Sequence, residues 1–431
     1  MKRRDFISGM GLIGLLGTSG CGTLIDAVGR STKEYKSRIA DTDSKLDKTI
    51  NREGRIEYIR NGNTVLPVVH VYGTFYEMGY QQGRLLRKEV KENVEGMFEG
   101  IAAYAEENYK KPKKNGRKRF PLPHFIFKPI AKRVEDTALK DTFRKIEGFI
   151  PREYREELVG LSDGSGVDLE KIKKVHAMPE LAETSCSLIS VFGEGTIDGK
   201  MYQVRVLDFA MFLGVQRHPT VTIYHPRYGN PFANVAWAGF TGVVSGMSDK
   251  VAVSEGGYGY PDKKEELPGI SHPRPSETLS GMPMIFELKN VLRFADNVEQ
   301  ASGILKSVDR TSYYAFIVSD AKDSRGYIST KDFVSVFKPN EKNPFPILKN
   351  TLYGSYDSQK CYDSLKENHG KISPDVLMND VIPKIAMPKN NLHNVVYDLE
   401  RKKMWVSNAK GLDKACDQPY VELGLDDLLE K

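Results

Sequence analysis

A cysteine at the head of an apolar run is the residue in this chain best suited to covalent chemistry. Cys186 follows a polar turn and opens a strand-like run, and the run 201–209 that comes next carries Arg205 and Asp208. The turn Asp198-Gly199-Lys200 between the runs is typical of a hairpin. A thiolate is a nucleophile, and a neighbouring cation favours its formation. The pattern predicts a thiol nucleophile whose charge partners lie on the adjacent strand.

The same residues also fit a structural interpretation. Free cysteine is among the most buried residue types, and a cysteine in an apolar run usually serves packing. Buried Arg/Asp pairs likewise occur for structural reasons. The local sequence alone leaves both interpretations open.

Composition restricts the class of protein. The chain has 431 residues, of which 40% are hydrophobic and 28% charged, with a net charge of +6. These values are ordinary for a globular protein with a large core. No nucleic-acid-binding signature is present, so no nucleic-acid partner is expected. The cysteines form no CxxC pair and no HExxH occurs, so neither a metal nor another cofactor is predicted; the four cysteines are Cys21, Cys186, Cys361 and Cys416.

The first residues predict an export signal over 1–21. Lys2-Arg3-Arg4-Asp5-Phe6-Ile7 resembles a twin-arginine start, and the apolar stretch 10–16 is too short to span a bilayer. The small residues before Cys21 resemble a bacterial lipoprotein cleavage site. We therefore expect an exported protein, anchored in the cell envelope by a lipid on Cys21. A plain secretory signal is the alternative.

If Cys21 is lipidated, three cysteines remain in an oxidising compartment. Cys361 and Cys416 could then pair and leave Cys186 free. Parity alone does not choose among the three pairings that remain.

The part of the chain before Cys186 divides into a polar tether over 22–60 and a mainly helical segment over 61–185. Thr64–Tyr72 is strand-like, and Thr74 is positioned to cap an amphipathic helix that starts at Phe75. The run 110–119 holds seven basic residues. It is interpreted as a solvated loop, with contact to anionic lipid as the alternative.

A serine in this segment matches the nucleophile-elbow pattern. Gly160-Leu161-Ser162-Asp163-Gly164 has the GxSxG spacing, which requires a strand before the serine. Tyr154–Val159 instead has a helical pattern, so Ser162 is predicted to be non-catalytic. Asp168 is predicted to cap the short helix that follows.

From Cys186 onward, short strand-like runs predominate and predict an antiparallel meander over 187–255. Residues 256–283 form a long Gly/Pro-rich and charged loop, of a length typical of functional lids. Two helices (284–294 and 298–306), further strands, two more helices and a final hairpin (392–407) complete the order. We predict an α+β fold in which helices pack outside antiparallel sheets.

Four blocks of the sequence together resemble a known family over residues 66–408. They are 73–83, 157–170, 186–209 and 393–398. In order and spacing they resemble the acyl-coenzyme A:6-aminopenicillanic acid acyltransferase-like proteins, the C45 group of N-terminal-nucleophile (Ntn) hydrolases. The resemblance implies a four-layer αββα fold with an N-terminal helical pro-segment.

The resemblance also implies a precursor that cuts itself between Ser185 and Cys186, so that 186–431 becomes the catalytic segment. The thiol, with an ordinary pKa of about 8.5, needs a base, and the cut frees an α-amine with a pKa of about 7.7–8.0 on the same residue. Arg205 would supply positive charge, and Asp208 would bind the amine or orient the arginine. The implied activity is that of an amidohydrolase or acyltransferase acting on a small-molecule N-acyl amide through a Cys186 thioester.

Three positions depart from the family pattern. Val206 replaces an asparagine after the arginine, Ser248 follows Met247 where the family often has an asparagine, and Ala315 lies near a third asparagine position. If those asparagines form the oxyanion hole, this chain must use backbone N–H groups or Ser248, and Tyr314 is a further candidate beside the substrate. Loss of one such donor costs about 2.7–4 kcal/mol.

Two other functions remain open from the sequence. The chain could be a non-catalytic envelope lipoprotein that keeps the fold as a binding module, which the missing asparagines favour. It could also be a hydrolase of another type that uses His176 or His225 as the base for a cysteine, although neither histidine lies in a recognisable motif.

Overall fold

The computed structural model describes residues 53–110, 137–181, 186–257, 279–311 and 314–429. Several sequence predictions fall outside these ranges: the export signal, the lipidation site Cys21, Ser185, most of the basic run and most of the long loop after 256. Within the described ranges the chain is a mixed α+β protein, as the order of elements predicts.

Fifteen strands are present in the described ranges. They are β1 Arg55–Asn61, β2 Thr64–Gly73, β3 Ser187–Gly193, β4 Gly199–Asp208, β5 Pro219–Pro226, β6 Phe232–Trp237, β7 Ser245–Ser248, β8 Ala252–Gly257, β9 Tyr314–Ser319, β10 Ser324–Ser329, β11 Val334–Phe337, β12 Thr351–Ser355, β13 Asn391–Asp398, β14 Lys403–Asn408 and β15 Val421–Gly424.

The helices of the same ranges lie before β3, between β8 and β9, between β12 and β13, and after β15. They are α1 Phe75–Leu85, α2 Arg87–Lys110, α3 137–146, α4 Arg152–Ser165, α5 Leu169–Ala177, α6 Met284–Phe294, α7 Val298–Ser307, α8 Ser358–Asn368, α9 Pro374–Val376, α10 Ile382–Ile385 and α11 Leu425–Leu429, with a π turn over Leu377–Val381 between α9 and α10.

The strands form two sheets. One has nine strands in the order β1-β2-β5-β6-β7-β8-β9-β10-β11, and the other has six in the order β12-β3-β4-β13-β14-β15. The predicted meander over 187–255 is therefore divided, because the hairpin β3–β4 belongs to the six-stranded sheet while β5 to β8 belong to the other. Local hydrophobic patterns do not encode this division, since β3 and β4 are mostly buried along their length and so are β5 to β8.

The two sheets contact each other through alternate residues of β4. Gln203 donates from Nε2 to Ser254 Oγ across the sheets at 2.8 Å, and Arg205 contacts the same strand of the other sheet. The intervening residues Val204 and Val206 pack with the side chains of α8 to α10. The period of two in β4 thus separates a polar face from an apolar one.

Helices α1 and α4 pack through four glycines, which explains why the GxSxG pattern occurs in a helix. A Cβ added at Gly79 would lie 2.1 Å from Glu157 O, and one at Gly160 would lie 2.1 Å from Tyr76 O. Gly83 and Gly164 approach the opposite backbone in the same way. Ser162 lies inside α4 and donates from Oγ to Val167 O at 2.7 Å, so the helix predicted over this segment is confirmed, and it is not the strand-to-helix turn that a nucleophile elbow requires.

Both predicted helix caps are present. Thr74 forms a capping box with Glu77 at the start of α1, and Asp168 accepts from the backbone N–H groups of residues 170 and 171. The predicted tether over 22–60 needs correction at its end, because Arg55–Asn61 is a strand that pairs with β2. Its charged side chains suit a strand at the edge of a sheet, where one side of the backbone stays unpaired.

We predict that Gly160→Ala strongly destabilises the protein. The added methyl group meets backbone atoms of α1 that cannot move without separating the helices. The free energy of unfolding should therefore fall by about 1–3 kcal/mol. Urea denaturation followed by circular dichroism measures this change. The matched control is Gly303→Ala within α7, where nothing lies within 4 Å of the new methyl group and a gain of about 0.5–1 kcal/mol is expected. Equal effects at the two glycines would contradict the proposed helix contact.

Candidate active site

Cys186 lies directly before β3, with 3% of its surface exposed. Ser187 pairs with Val206 in β4, so Cys186 lies beside the last residues of that strand. It belongs to the same apolar cluster as Leu207. The hairpin predicted from the sequence therefore brings Cys186, Arg205 and Asp208 to one end of β4.

Arg205 is fully buried, pairs with a carboxylate and lies beside the thiol. Its Nη2 donates to Glu255 Oε2 at 2.7 Å, its Nη1 donates to Val206 O at 2.9 Å, and the guanidinium lies close enough to the Cys186 side chain for the two groups to interact electrostatically. Burial by itself lowers the pKa of Arg205, but the attraction of Cys186 and Glu255 outweighs it and the pKa is raised. The guanidinium therefore remains a fixed positive charge beside the sulfur.

Glu255 is the site residue that the sequence analysis missed. It lies on β8 of the nine-stranded sheet, is 1% exposed, and reaches Arg205 on the facing sheet. A signal was present in the sequence, since Glu255 ends an otherwise uncharged strand-like run that starts at Val251. A buried carboxylate requires a partner, but the sequence does not say which cation supplies it.

Asp208 is a buried carboxyl group with a pKa near neutrality. Burial raises its pKa to about 7, against the opposing effects of a backbone hydrogen bond from Met387, the Asn391 side chain and the charge of Arg205. Asn391 Nδ2 donates to Asp208 Oδ1 at 3.1 Å. A carboxyl group with such a pKa exchanges protons near neutral pH, which suits it to work beside an amine or a thiol.

An apolar cavity of about 30 Å³ lies next to Glu255, and this space is larger than one water molecule needs. Leu207 and Glu255 connect it to the site, because each lines the cavity, Leu207 directly precedes Asp208 in β4 and Glu255 pairs with Arg205. The remaining lining is aliphatic and aromatic and includes Trp237, Phe240 and Tyr314. The cavity can therefore accept an apolar group beside Leu207 and Glu255.

The two tentative oxyanion or substrate residues have different positions. Tyr314 lines the cavity, and its hydroxyl donates to Pro179 O at 2.7 Å. Ser248 is not brought to the site: its Oγ accepts from the backbone N–H of Val251 at 3.1 Å, within the turn after β7. The residue of β7 nearest the site is Ser245, which pairs with Ser254 next to Glu255. Ser248 lies three residues beyond Ser245, or about 10 Å along the strand.

The histidines proposed as alternative bases are engaged elsewhere. Thr241 N–H donates to His176 Nε2 at 3.0 Å, while His176 Nδ1 lies 2.8 Å from Ile172 O. Burial lowers the pKa of His176 to about 4, so the ring is neutral at physiological pH. His225 stacks on Tyr72 with ring centroids 4.4 Å apart. These contacts do not involve Cys186 and give no support to a histidine base.

Cys361 and Cys416 are free thiols, so the pairing considered from parity is not present. Burial raises the pKa of the Cys361 thiol, which packs in the apolar cluster of α8, and raises that of Cys416 to about 11. Across the described ranges, no group of three or more His, Cys, Asp or Glu side chains is arranged to bind a metal ion. None of the described helices combines the length and apolar character needed to cross a membrane.

We predict that Glu255→Gln destabilises the protein by about 3–5 kcal/mol. The substitution keeps the shape of the side chain but leaves Arg205 without its ion-pair partner in a fully buried position. Urea denaturation at pH 7 measures the loss. The control is Glu422→Gln, which removes a solvent-exposed pair with Lys403 and should cost less than about 1 kcal/mol. A loss below 1 kcal/mol at Glu255 would show that this pair does not support the site.

No protein-family model matches the chain. Among curated proteins, dcd1B of Dictyostelium discoideum is 28% identical over 375 residues, covering 83% of this chain and 71% of that protein. The dcd1A protein of the same organism is 25% identical, covering 82% of this chain and 81% of that protein. Both lie below the identity that would assign a family.

Three solved structures share part of the arrangement. A Caenorhabditis elegans N-acylethanolamine-hydrolyzing acid amidase ortholog has a TM-score of 0.38 and 16% identity, covering 55% of this chain and 100% of its own. Penicillin V acylase from Agrobacterium tumefaciens has a TM-score of 0.34 and 13% identity, with coverages of 52% and 83%. A mutant conjugated bile acid hydrolase from Clostridium perfringens has a TM-score of 0.36 and 11% identity, with coverages of 56% and 93%. At these values, the geometry around Cys186 must itself carry any conclusion about function.

Proposed function

We propose that this protein is a cysteine amidohydrolase or acyltransferase of the Ntn type, which acts on N-acyl amide bonds through a thioester at Cys186. One observation carries the proposal: the buried Cys186 thiol lies beside the Arg205 guanidinium and helps to raise its pKa, and this guanidinium is itself paired with Glu255 and lies close to Asp208. A thiol used only for packing has no need of a desolvated cation at its sulfur, since burying that cation costs free energy.

The first step of the proposal is a cut in the chain itself. The Cys186 sulfur attacks the carbonyl carbon of Ser185, and the C–N bond breaks as the acyl group moves to sulfur. Water then hydrolyses the thioester, leaving a carboxylate on Ser185 and a free amine on Cys186. The cut changes a non-basic amide nitrogen into an amine with an ordinary pKa of about 7.7–8.0, which supplies the base for later turnover.

In turnover, the new amine accepts the thiol proton and the thiolate attacks the amide carbonyl of the substrate. Arg205 stabilises the thiolate, and Asp208 accepts hydrogen bonds from the ammonium group of Cys186. The substrate amine leaves with a proton from that ammonium group, and water or an acceptor amine resolves the thioester. Since Val206 and Ala315 replace family asparagines and Ser248 lies in a distant turn, backbone N–H groups are proposed as the oxyanion donors.

The substrate is proposed to be a small molecule with an apolar acyl group. The support is the lining of the cavity next to Leu207 and Glu255, which is aliphatic and aromatic apart from the Glu255 carboxylate. Pockets of this kind bind apolar groups and use a few polar atoms for orientation.

The proposal includes the four-layer αββα order, with residues 61–185 as an N-terminal segment that stays bound after the cut. Two contacts support continued association. Strand β2, before the cut, pairs in parallel with β5, after it, and Tyr154 in α4 donates to Asn290 Oδ1 in α6 at 2.7 Å. Both segments thus contribute to one core, which a single broken peptide bond does not divide.

Export and lipid attachment at Cys21, with the basic run 110–119 at an anionic membrane surface, are also part of the proposal. Their support is the sequence pattern of residues 1–21 and the charge of the basic run. The protein would then act in the bacterial cell envelope.

A binding module without catalysis is the second candidate. The observation that favours it is the absence of asparagine at the family positions held by Val206 and Ala315. This candidate keeps Cys186 in an amide bond and needs no cut.

The experiment is an intact-mass measurement of the purified full chain under denaturing conditions. We expect two fragments divided between Ser185 and Cys186, and a single uncut chain for Cys186→Ala, because only this thiol reaches the bond. Cys361→Ala, which removes the second buried thiol of the described ranges, is the matched control and should be cut normally. An uncut wild-type chain that hydrolyses N-acyl p-nitroanilides, or a Cys186→Ala chain that is still cut, would contradict the mechanism. An uncut, inactive wild type would favour the binding module.

A further inference from the structure

A bulge in β13 brings an asparagine to Asp208. In the ladder between β13 and β4, His393 pairs with Leu207 and Asn391 pairs with Asp208, so one extra residue, Leu392, lies between the two pairs. A regular ladder continued from His393 would place Leu392 opposite Asp208. The bulge replaces an apolar side chain with an amide at this position, and bulges often re-aim side chains next to active sites.

The orientation of the Asn391 amide is fixed by a second contact. The backbone N–H of Cys416 lies 2.8 Å from Asn391 Oδ1, and a backbone N–H can only donate. The oxygen of the amide therefore faces Cys416, and Nδ2 is left to donate to Asp208 Oδ1 at 3.1 Å. Asn391 and Asp208 are both fully buried, so water does not compete for this hydrogen bond.

We infer that Asn391 is a positioning residue that holds the Asp208 carboxyl group in its ionised form, at the end of β4 that Cys186 adjoins. The part of this inference that concerns catalysis rests on the proposed function. A side-chain amide that donates to a carboxylate stabilises the charged form over the neutral one. In the proposed mechanism the ionised Asp208 is needed to bind the Cys186 ammonium group.

Among the described residues, the other groups that act on Asp208 lie on β4, before β13 and after β12. Arg205 on the same strand attracts the carboxylate, and a backbone hydrogen bond comes from Met387. Tyr356, after β12, has its pKa raised to about 12 by burial first and then by the charge of Asp208. Arg205 and Tyr356 keep one protonation state between pH 5 and 9, so a change in this range that depends on Asn391 reports on Asp208.

The sign of the effect follows from the pKa of Asp208, which burial raises to about 7 in the folded chain. At pH 5 the folded carboxyl group is mostly protonated, and removal of the amide costs only neutral contacts. At pH 9 it is ionised, and the charged form loses its donor. Asn391→Ala should therefore lower the folding equilibrium constant more at pH 9 than at pH 5, by about tenfold, since hydrogen bonds to charged groups are the stronger ones.

The test is urea unfolding at pH 5 and pH 9 in a Cys186→Ala background, which keeps every variant uncut. Asn391→Ala is compared with and without Asp208→Asn, and the extra loss at pH 9 should disappear when Asp208→Asn is present. The matched control is Asn234→Ala, a buried asparagine that donates to Gly242 O at 2.9 Å on the other sheet, and its loss should be equal at both pH values. Asn391→Ser, which keeps a smaller donor, should show the same sign with a smaller difference and replaces Asn391→Ala if that variant does not fold.

An equal loss at both pH values, or an extra loss that persists with Asp208→Asn, would overturn the inference. A second measurement separates it from the proposed function: in the chain that keeps Cys186, the rate at which the cut protein hydrolyses an N-acyl p-nitroanilide is followed against pH. Asn391→Ala should move the acidic limb of this profile to higher pH. If the wild type is never cut, the proposed function fails, while the unfolding comparison still decides whether Asn391 acts through Asp208.

Discussion

The buried ion pair between Arg205 and Glu255 is the interaction on which the rest of the site depends. Each residue comes from a different sheet, and neither side chain has more than 1% of its surface exposed. Removing two charges from water is costly, and only close contact with good hydrogen-bond geometry compensates for it. The pair therefore fixes how the facing ends of β4 and β8 approach each other, and it places a permanent positive charge at the Cys186 sulfur.

This electrostatic arrangement requires rigid support. Helices α1 and α4 lie on the side of the nine-stranded sheet that includes Val69 and Val71. Their backbones are in direct contact, which only the glycines Gly79 and Gly160 permit. Another fully buried pair, between Lys289 and Glu157, links α6 to α4. Because α1, α4 and β2 precede Cys186 while α6 and β5 follow it, the two parts of the chain share one core.

Much of the local structure could be predicted from the sequence. The capping box at Thr74 and the cap at Asp168 are signals confined to a few neighbouring residues. The hairpin from β3 to β4 follows from two strand-like runs around a turn at Gly199, where φ is +76°. That hairpin alone was sufficient to predict that Cys186 and Arg205 lie close together, since neighbouring strands of a hairpin pair directly.

The sequence by itself thus determined the elements, the helix caps and the position of the thiol next to its arginine, because these depend on neighbours in the chain. Only the tertiary structure decided that Glu255 pairs with Arg205, that Asn391 reaches Asp208 through a bulge, and that Ser248 lies at the far end of its strand. A period of two in a strand specifies which face a side chain occupies, but it does not specify which strand, some 50 or 180 residues away, packs against that face. Long-range pairing is settled by the packing of the whole core, where buried charges must find partners.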